Sequence, residues 1–134
     1  MNIELTDKEF RRLLDLVYIG NWILNSTREK DRFEDYDILQ EKLFALCAKN
    51  GMNALISRWQ GHIFPSSAYE NGGIHEAIAD YEDAVFFDIL AEELARRDLG
   101  CLDSEPADYT ELNARMDEYM DEFEKSGVEN LVLE

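Results

Sequence analysis

The stretch LTDKEFRRLLDLVYIGNWILNS, residues 5–26, sets the fold class. Thr6 has the side chain of a helix N-cap, and Glu9 stands three residues on, where it can reach back to the Thr6 backbone N–H. Leu5 and Phe10 occupy the two positions of a hydrophobic staple across that cap. A helix is expected from Asp7 to about Ser26, with Phe10, Leu13, Leu14, Val17 and Leu24 on one side and Leu16, Ile19 and Ile23 widening the apolar arc. So wide an arc calls for several neighbours, which makes this the expected central helix. Gly20 inside it costs about 1 kcal/mol relative to Ala. Close approach of another helix would account for it.

Outward from this helix, Asp31-Arg-Phe-Glu34 repeats the cap logic, with Asp31 as cap and Glu34 at the third helical position. A second helix then carries Tyr36, Leu39, Leu43, Leu46 and Cys47 at helical spacing, and Asn50-Gly51 stops it. A short third helix is expected over about Ala54 to Gln60, ending at Gly61. GHIFPSSAYENGG, residues 61–73, is the long break in periodicity. Ile74 to Leu99 reads as one long helix, with Ile78, Tyr81, Val85 and Ile89 in one stripe, Phe86, Leu90 and Leu94 in another, and Gly100 just past its end. Ser104-Glu-Pro106 is expected to open a last helix, since Pro is tolerated in a first turn. Its stripe is Tyr109, Leu112, Met116, Tyr119, Met120 and Phe123, and Gly127 closes it. The tail residues Val128, Leu131, Val132 and Leu133 are expected to pack back as a short strand or extended arm. The expected fold is therefore all-α: a compact bundle of four longer helices plus one short helix, with a short apolar C-terminal tail, forming a single helical domain over residues 1–134. The alternative is a smaller helical body whose C-terminal arm is exchanged in a dimer.

Composition bounds the function classes. A hydrophobic fraction of 46% with only two prolines fits a folded helical chain rather than a disordered acidic one. Cys47 and Cys101 form no disulfide framework and read as free thiols. The opening MNIELTDKEF has no basic region followed by an apolar run, and the longest apolar-rich stretch, Leu13 to Leu24, is broken by Asp15, Gly20 and Asn21. The expectation is a soluble cytoplasmic protein. The charge is unevenly placed: residues 1–66 carry 10 acidic and 9 basic side chains, whereas residues 67–134 carry 20 and 4. An acidic half with a net charge of −16 repels nucleic-acid phosphates and anionic membranes, so neither is an expected direct partner.

Four features could carry function. On the last helix, Glu111, Asp117, Glu118, Asp121 and Glu122 all avoid the apolar stripe. Asp117–Asp121 and Glu118–Glu122 are like-charged i,i+4 pairs that each cost a few tenths of a kcal/mol, and Glu111–Arg115 and Asp121–Lys125 offset only part of this. Such a face serves solubility, or it docks a basic partner protein. In a DNA mimic, its carboxylates stand in for phosphates. His62 and His75 flank the irregular segment with Glu70 and Glu76 close in sequence, but no His-x-x-x-His or Glu-x-x-His pair exists, so no metal centre and no cofactor is assigned. The loop itself holds Phe64, Pro65 and Tyr69 just after Trp59; it either serves a ligand or plugs one end of the bundle. Asn21 and Asn25, set into the first helix beside Tyr18 and Trp22, either line a small cleft with Arg28 at its mouth or fix the register of a neighbouring loop.

Other chemistries fail on their residues. Asp31 to Lys42 lacks an EF-hand's turn glycine and terminal glutamate, Gly72-Gly73 is no phosphate cradle, and nothing activates Cys47 as a nucleophile. Catalytic residues are unassigned, and whether the protein is an enzyme stays open. The expectation the charge supports is a small non-enzymatic acidic interaction protein that binds a basic partner protein, a DNA mimic being one form of it. The alternative is a small enzyme or ligand- or metal-binding protein with a site around residues 61–76, built from Asn21, Asn25, His62, His75 and Glu76. A homodimer through Tyr119, Met120, Phe123 and the tail is compatible with either.

Overall fold

Local signals account for most of the helices. The computed structural model describes residues 1–133 and divides into two compact units, Met1–Ile78 and Ala79–Glu134. The class is all-α, with four helices of twelve residues or more and one small β-hairpin.

In the first unit, α1 spans Asp7–Asn25 and starts with the expected capping box: Glu9 N–H donates to the Thr6 hydroxyl and Thr6 N–H donates to the Glu9 carboxylate. Its buried line is Phe10, Leu14, Tyr18, Asn21 and Asn25, narrower than the apolar arc, and Leu16 and Ile23 are exposed. No neighbour approaches Gly20, where a Cβ would meet nothing within 4 Å. Close helix packing is therefore not the reason for that glycine.

Helix α2 spans Glu34–Ala45 and begins two residues later than the Asp31 cap implied. Asp31 is occupied elsewhere, accepting from Arg28 and from the Glu29 N–H, and no side chain caps α2 at Phe33. The expected stripe holds only in part: Leu43 and Cys47 pack in the core, whereas Tyr36, Leu39 and Leu46 are exposed and Asp37, Gln40 and Phe44 face inward. The buried Asn21 amide needs acceptors, and the polar face of α2 supplies them. A 3₁₀ turn, Leu46–Ala48, ends this element and buries Cys47.

The expected third helix is limited to a 3₁₀ turn at Asn53–Leu55. Strands β1 (Ile56–Trp59) and β2 (His62–Pro65) follow and pair antiparallel, Ile56 opposite Pro65 and Trp59 opposite His62. Gln60 and Gly61 both take positive φ, 50° and 78°, as a two-residue hairpin turn requires. β-branched and aromatic residues on both sides of Gln-Gly favour pairing over a helix of seven residues. Residues 61–73 are thus not a structureless loop. After β2, Ser66 caps the single turn α3 (Ser67–Tyr69), and a wide turn, Glu70–Ile74, runs into α4 through Gly73 at φ 112°. The core of this unit is Phe10, Leu14, Tyr18, Phe44, Cys47, Ile56, Tyr69, Ile74 and Ile78.

Helix α4 spans His75–Asp98, within one residue of its expected bounds at each end. In the second unit its Ala91 and Ala95 are buried with Cys101, Leu112 and Phe123, and Phe87 packs on Phe123 at 5.3 Å between ring centroids. Helix α5 spans Tyr109–Ser126, starting later than Pro106 suggested. Asp108 is the working cap, accepting from Thr110 N–H, while the Ser104 carbonyl accepts from the Arg96 guanidinium and stays outside the helix. Gly127, at φ 55°, closes α5 as expected. Beyond it the chain makes turns with no strand among the described residues, and Val132 and Leu133 are exposed rather than packed back.

Candidate functional site

Two places bring functional groups together, one in each unit. The first is a cleft of about 590 Å³ in the first unit. Helix α1 contributes Tyr18, Asn21 and Trp22 to it, and Ser26, the residue that caps its C-terminus, lies beside them. Arg32 and the α2 residues Asp37, Ile38, Gln40 and Glu41 line another side, and Ile63 and Phe64 of β2 complete it.

Its polar groups are fixed by one another. Asn25, 1% exposed, donates to the Asn21 side-chain oxygen at 2.7 Å and to the Phe33 carbonyl at 3.1 Å, and accepts from Phe33 N–H at 2.8 Å. Asn25 therefore holds the α1–α2 connection in register. Its partner Asn21 donates to Asp37 and Gln40 at 3.0 and 3.1 Å. Arg32 grips Asp37 with two N–H bonds, 3.0 and 2.8 Å, which hold that carboxyl below the usual carboxylate range against the opposing effect of burial. Glu41 accepts from Ile63 N–H at 2.9 Å, a bond that with His62 lowers its pKa. Both carboxylates are thus ionised where they line the cleft.

Behind Trp22 lies a second cluster. The Tyr18 hydroxyl donates to Glu70 at 2.9 Å and sits 2.7 Å from His75 Nε2, so that the imidazole donates to it from this nitrogen. The His75 ring stands edge-on to Trp22, 4.8 Å between centroids. Burial, and then the Glu70 carboxylate, push the Tyr18 phenol well above its ordinary pKa. Tyr69 is raised by burial and by its bond to Asp15 in the same way. These phenols act as fixed donors, not as bases.

The five residues expected around 61–76 thus have different places. Asn21 lines the cleft, and Asn25 lies beneath it. His62 pairs with Glu41, and His75 braces Tyr18 and Trp22. Glu76 is exposed and outside the cleft lining, and Arg28 is engaged with Leu24 and Asp31 rather than at a mouth. Among the described residues no three His, Cys, Asp or Glu side chains converge where they could hold a metal ion. Cys47 is fully buried, and burial pushes its thiol up, away from nucleophilic use. Asp37, Gln40 and Glu41 escaped sequence reasoning because on α2 alone they look like an ordinary solvated face.

The second place is the outer surface of α5. Glu118 is paired with Arg115 at 2.9 Å, and Glu122 accepts from Asn130 at 2.7 Å. Arg115 also bonds Asp98 at 3.0 Å, and Asp98 receives Arg97 and the Tyr119 hydroxyl as well. Glu111 borders this group. Asp117 and Asp121 differ: with Glu124 they make an exposed i, i+4, i+7 row that has no salt bridge or side-chain hydrogen bond among the described residues. Glu124 was not singled out from the sequence, although its spacing is the signal that finds it. Tyr119 and Phe123 stack within the unit; Phe123 is 7% exposed, whereas Tyr119 and Met120 are half-buried and the tail residues Val128, Leu131, Val132 and Leu133 are exposed.

Among the described residues no helix is long and apolar enough to cross a membrane. Compared with models of protein families, with curated proteins and with solved structures, the chain matches none.

Proposed function

We propose that the protein is a non-enzymatic interaction protein that binds a basic partner protein through the acidic surface of its second unit. The supporting observation is the unpaired row Asp117, Asp121 and Glu124 in a unit that carries 18 acidic and 4 basic residues. Like charges one turn apart cost helix stability. Three of the four cations of this unit are committed elsewhere, Arg96, Arg97 and Arg115 being bonded to Glu92, Asp98 and Glu118; the fourth, Lys125, stands four residues from Asp121 but forms no salt bridge among the described residues. A partner bringing Lys or Arg to the row gains Coulomb attraction over a wide approach and removes the internal repulsion.

The experiment is a comparative capture from the native lysate at low and high salt. It uses the wild-type protein, an Asp117→Lys/Asp121→Lys/Glu124→Lys variant, and a control with the same charge change in the first unit, Glu4→Lys/Glu29→Lys/Glu34→Lys. A basic protein held by wild type and control, released by salt and absent from the α5 variant is the expected result. Equal capture by both variants, or capture indifferent to salt, overturns the proposal. Displacement of the bound partner by duplex DNA identifies the DNA-mimic form.

A further inference from the structure

We infer that the cleft of the first unit binds a small organic monocation with an apolar body, such as an arylalkylamine. This does not depend on the partner proposed for the second unit. The cleft's volume, about 590 Å³, lies in the range of small-molecule sites. Its walls combine the rings of Trp22 and Phe64 with Ile38 and Ile63, a surface suited to a flat apolar group.

The charge balance selects the other end of the ligand. The two carboxylates and one guanidinium lining the cleft leave it one negative charge in excess. Asp37 is neutralised by the two-bond grip of Arg32, whose remaining Nη1 donates to the Asn25 carbonyl. Among the described residues Glu41 makes no salt bridge to Lys or Arg; its hydrogen-bond partners are the Ile63 N–H and the exposed His62 ring. The Ile63 bond fixes the Glu41 carboxylate in place but leaves it able to accept further hydrogen bonds. An ammonium group reaching Glu41 makes a charge-assisted bond, and the electron-rich faces of Trp22 and Phe64 favour a cation over a neutral group. An anion of the same shape meets two carboxylates and an arginine that is already committed.

The test is a titration with 2-phenylethylamine, 2-phenylethanol and 3-phenylpropionate, followed by the indole N–H resonances of Trp22 and Trp59. A Trp59→Phe variant assigns the two. The amine is expected to shift Trp22 saturably and to leave Trp59, exposed on β1, unmoved. The alcohol should bind about tenfold more weakly, equivalent to one charge-assisted contact, and the acid should not bind. Glu41→Gln keeps an oxygen for Ile63 N–H, so the fold should persist, as its thermal melt will report. In that variant the amine should lose its advantage over the alcohol. No saturable shift at Trp22, equal binding of acid and amine, or an amine preference that survives Glu41→Gln overturns the inference.

Discussion

Asn25 joins the two helices of the first unit through a side chain that is almost wholly buried and bonded to both backbone groups of Phe33. Its removal takes this partner from the Phe33 N–H and C=O and from the side-chain oxygen of the buried Asn21, and a buried polar group left unpaired costs more than the bond contributes when made. Asn25→Ala should lower the unfolding free energy by about 2–3 kcal/mol, read from the urea midpoint; a loss below half a kcal/mol would mean that water replaces the amide at no cost. The two buried phenols give a pH signature. Tyr18 and Tyr69 have folded pKa values raised above the ordinary Tyr value, so folding favours the protonated phenol. That contribution is complete below pH about 10 and is lost as the pH rises through and beyond it, because the unfolded chain then ionises while the folded chain does not. Urea unfolding across this range should show stability falling, and a Tyr18→Phe/Tyr69→Phe variant should flatten the fall. An equally steep fall in the variant would assign the alkaline limb to other groups.

The helices differ in how far local chemistry determines them. Gly20 sits inside α1 with open space where a side chain would go. Gly20→Ala should therefore stabilise the protein by about 0.5–1 kcal/mol, the helix-propensity difference alone. A destabilised variant would reveal a contact or a flexibility that α1 needs. The ends of α1, α4 and α5 were legible in the sequence where one cap or glycine decides them: Thr6 with Glu9, Gly100 at φ 70°, and Gly127 at φ 55°. The starts of α2 and α5 were not, because Asp31 and Ser104 bond residues outside the helices they were expected to cap or open. The hairpin escaped notice because short apolar runs carry no period long enough to separate strand from helix. The cleft was half legible. Asn21 and Asn25 stood out as amides in an apolar helix, whereas Asp37 and Glu41 acquire meaning only once α1 and β2 approach α2.

For the whole molecule the dominant fact is charge, a net −17 concentrated in the second unit. Self-repulsion of this size destabilises the compact state and is screened by salt over about 10 Å at 0.1 M. The thermal midpoint should rise by about 2–5 °C between low salt and 0.5 M sodium chloride; a flat or falling midpoint would mean that the surface carboxylates are already compensated. The same field should govern binding. The most direct measurement is a calorimetric titration of the captured basic partner into wild-type protein and into the Asp117→Lys/Asp121→Lys/Glu124→Lys variant, at about 50 mM and about 300 mM salt. The acidic-surface account predicts at least tenfold weaker binding at the higher salt and a similar loss in the variant, each about 1.4 kcal/mol. Affinity that is unchanged by both salt and charge reversal would contradict it.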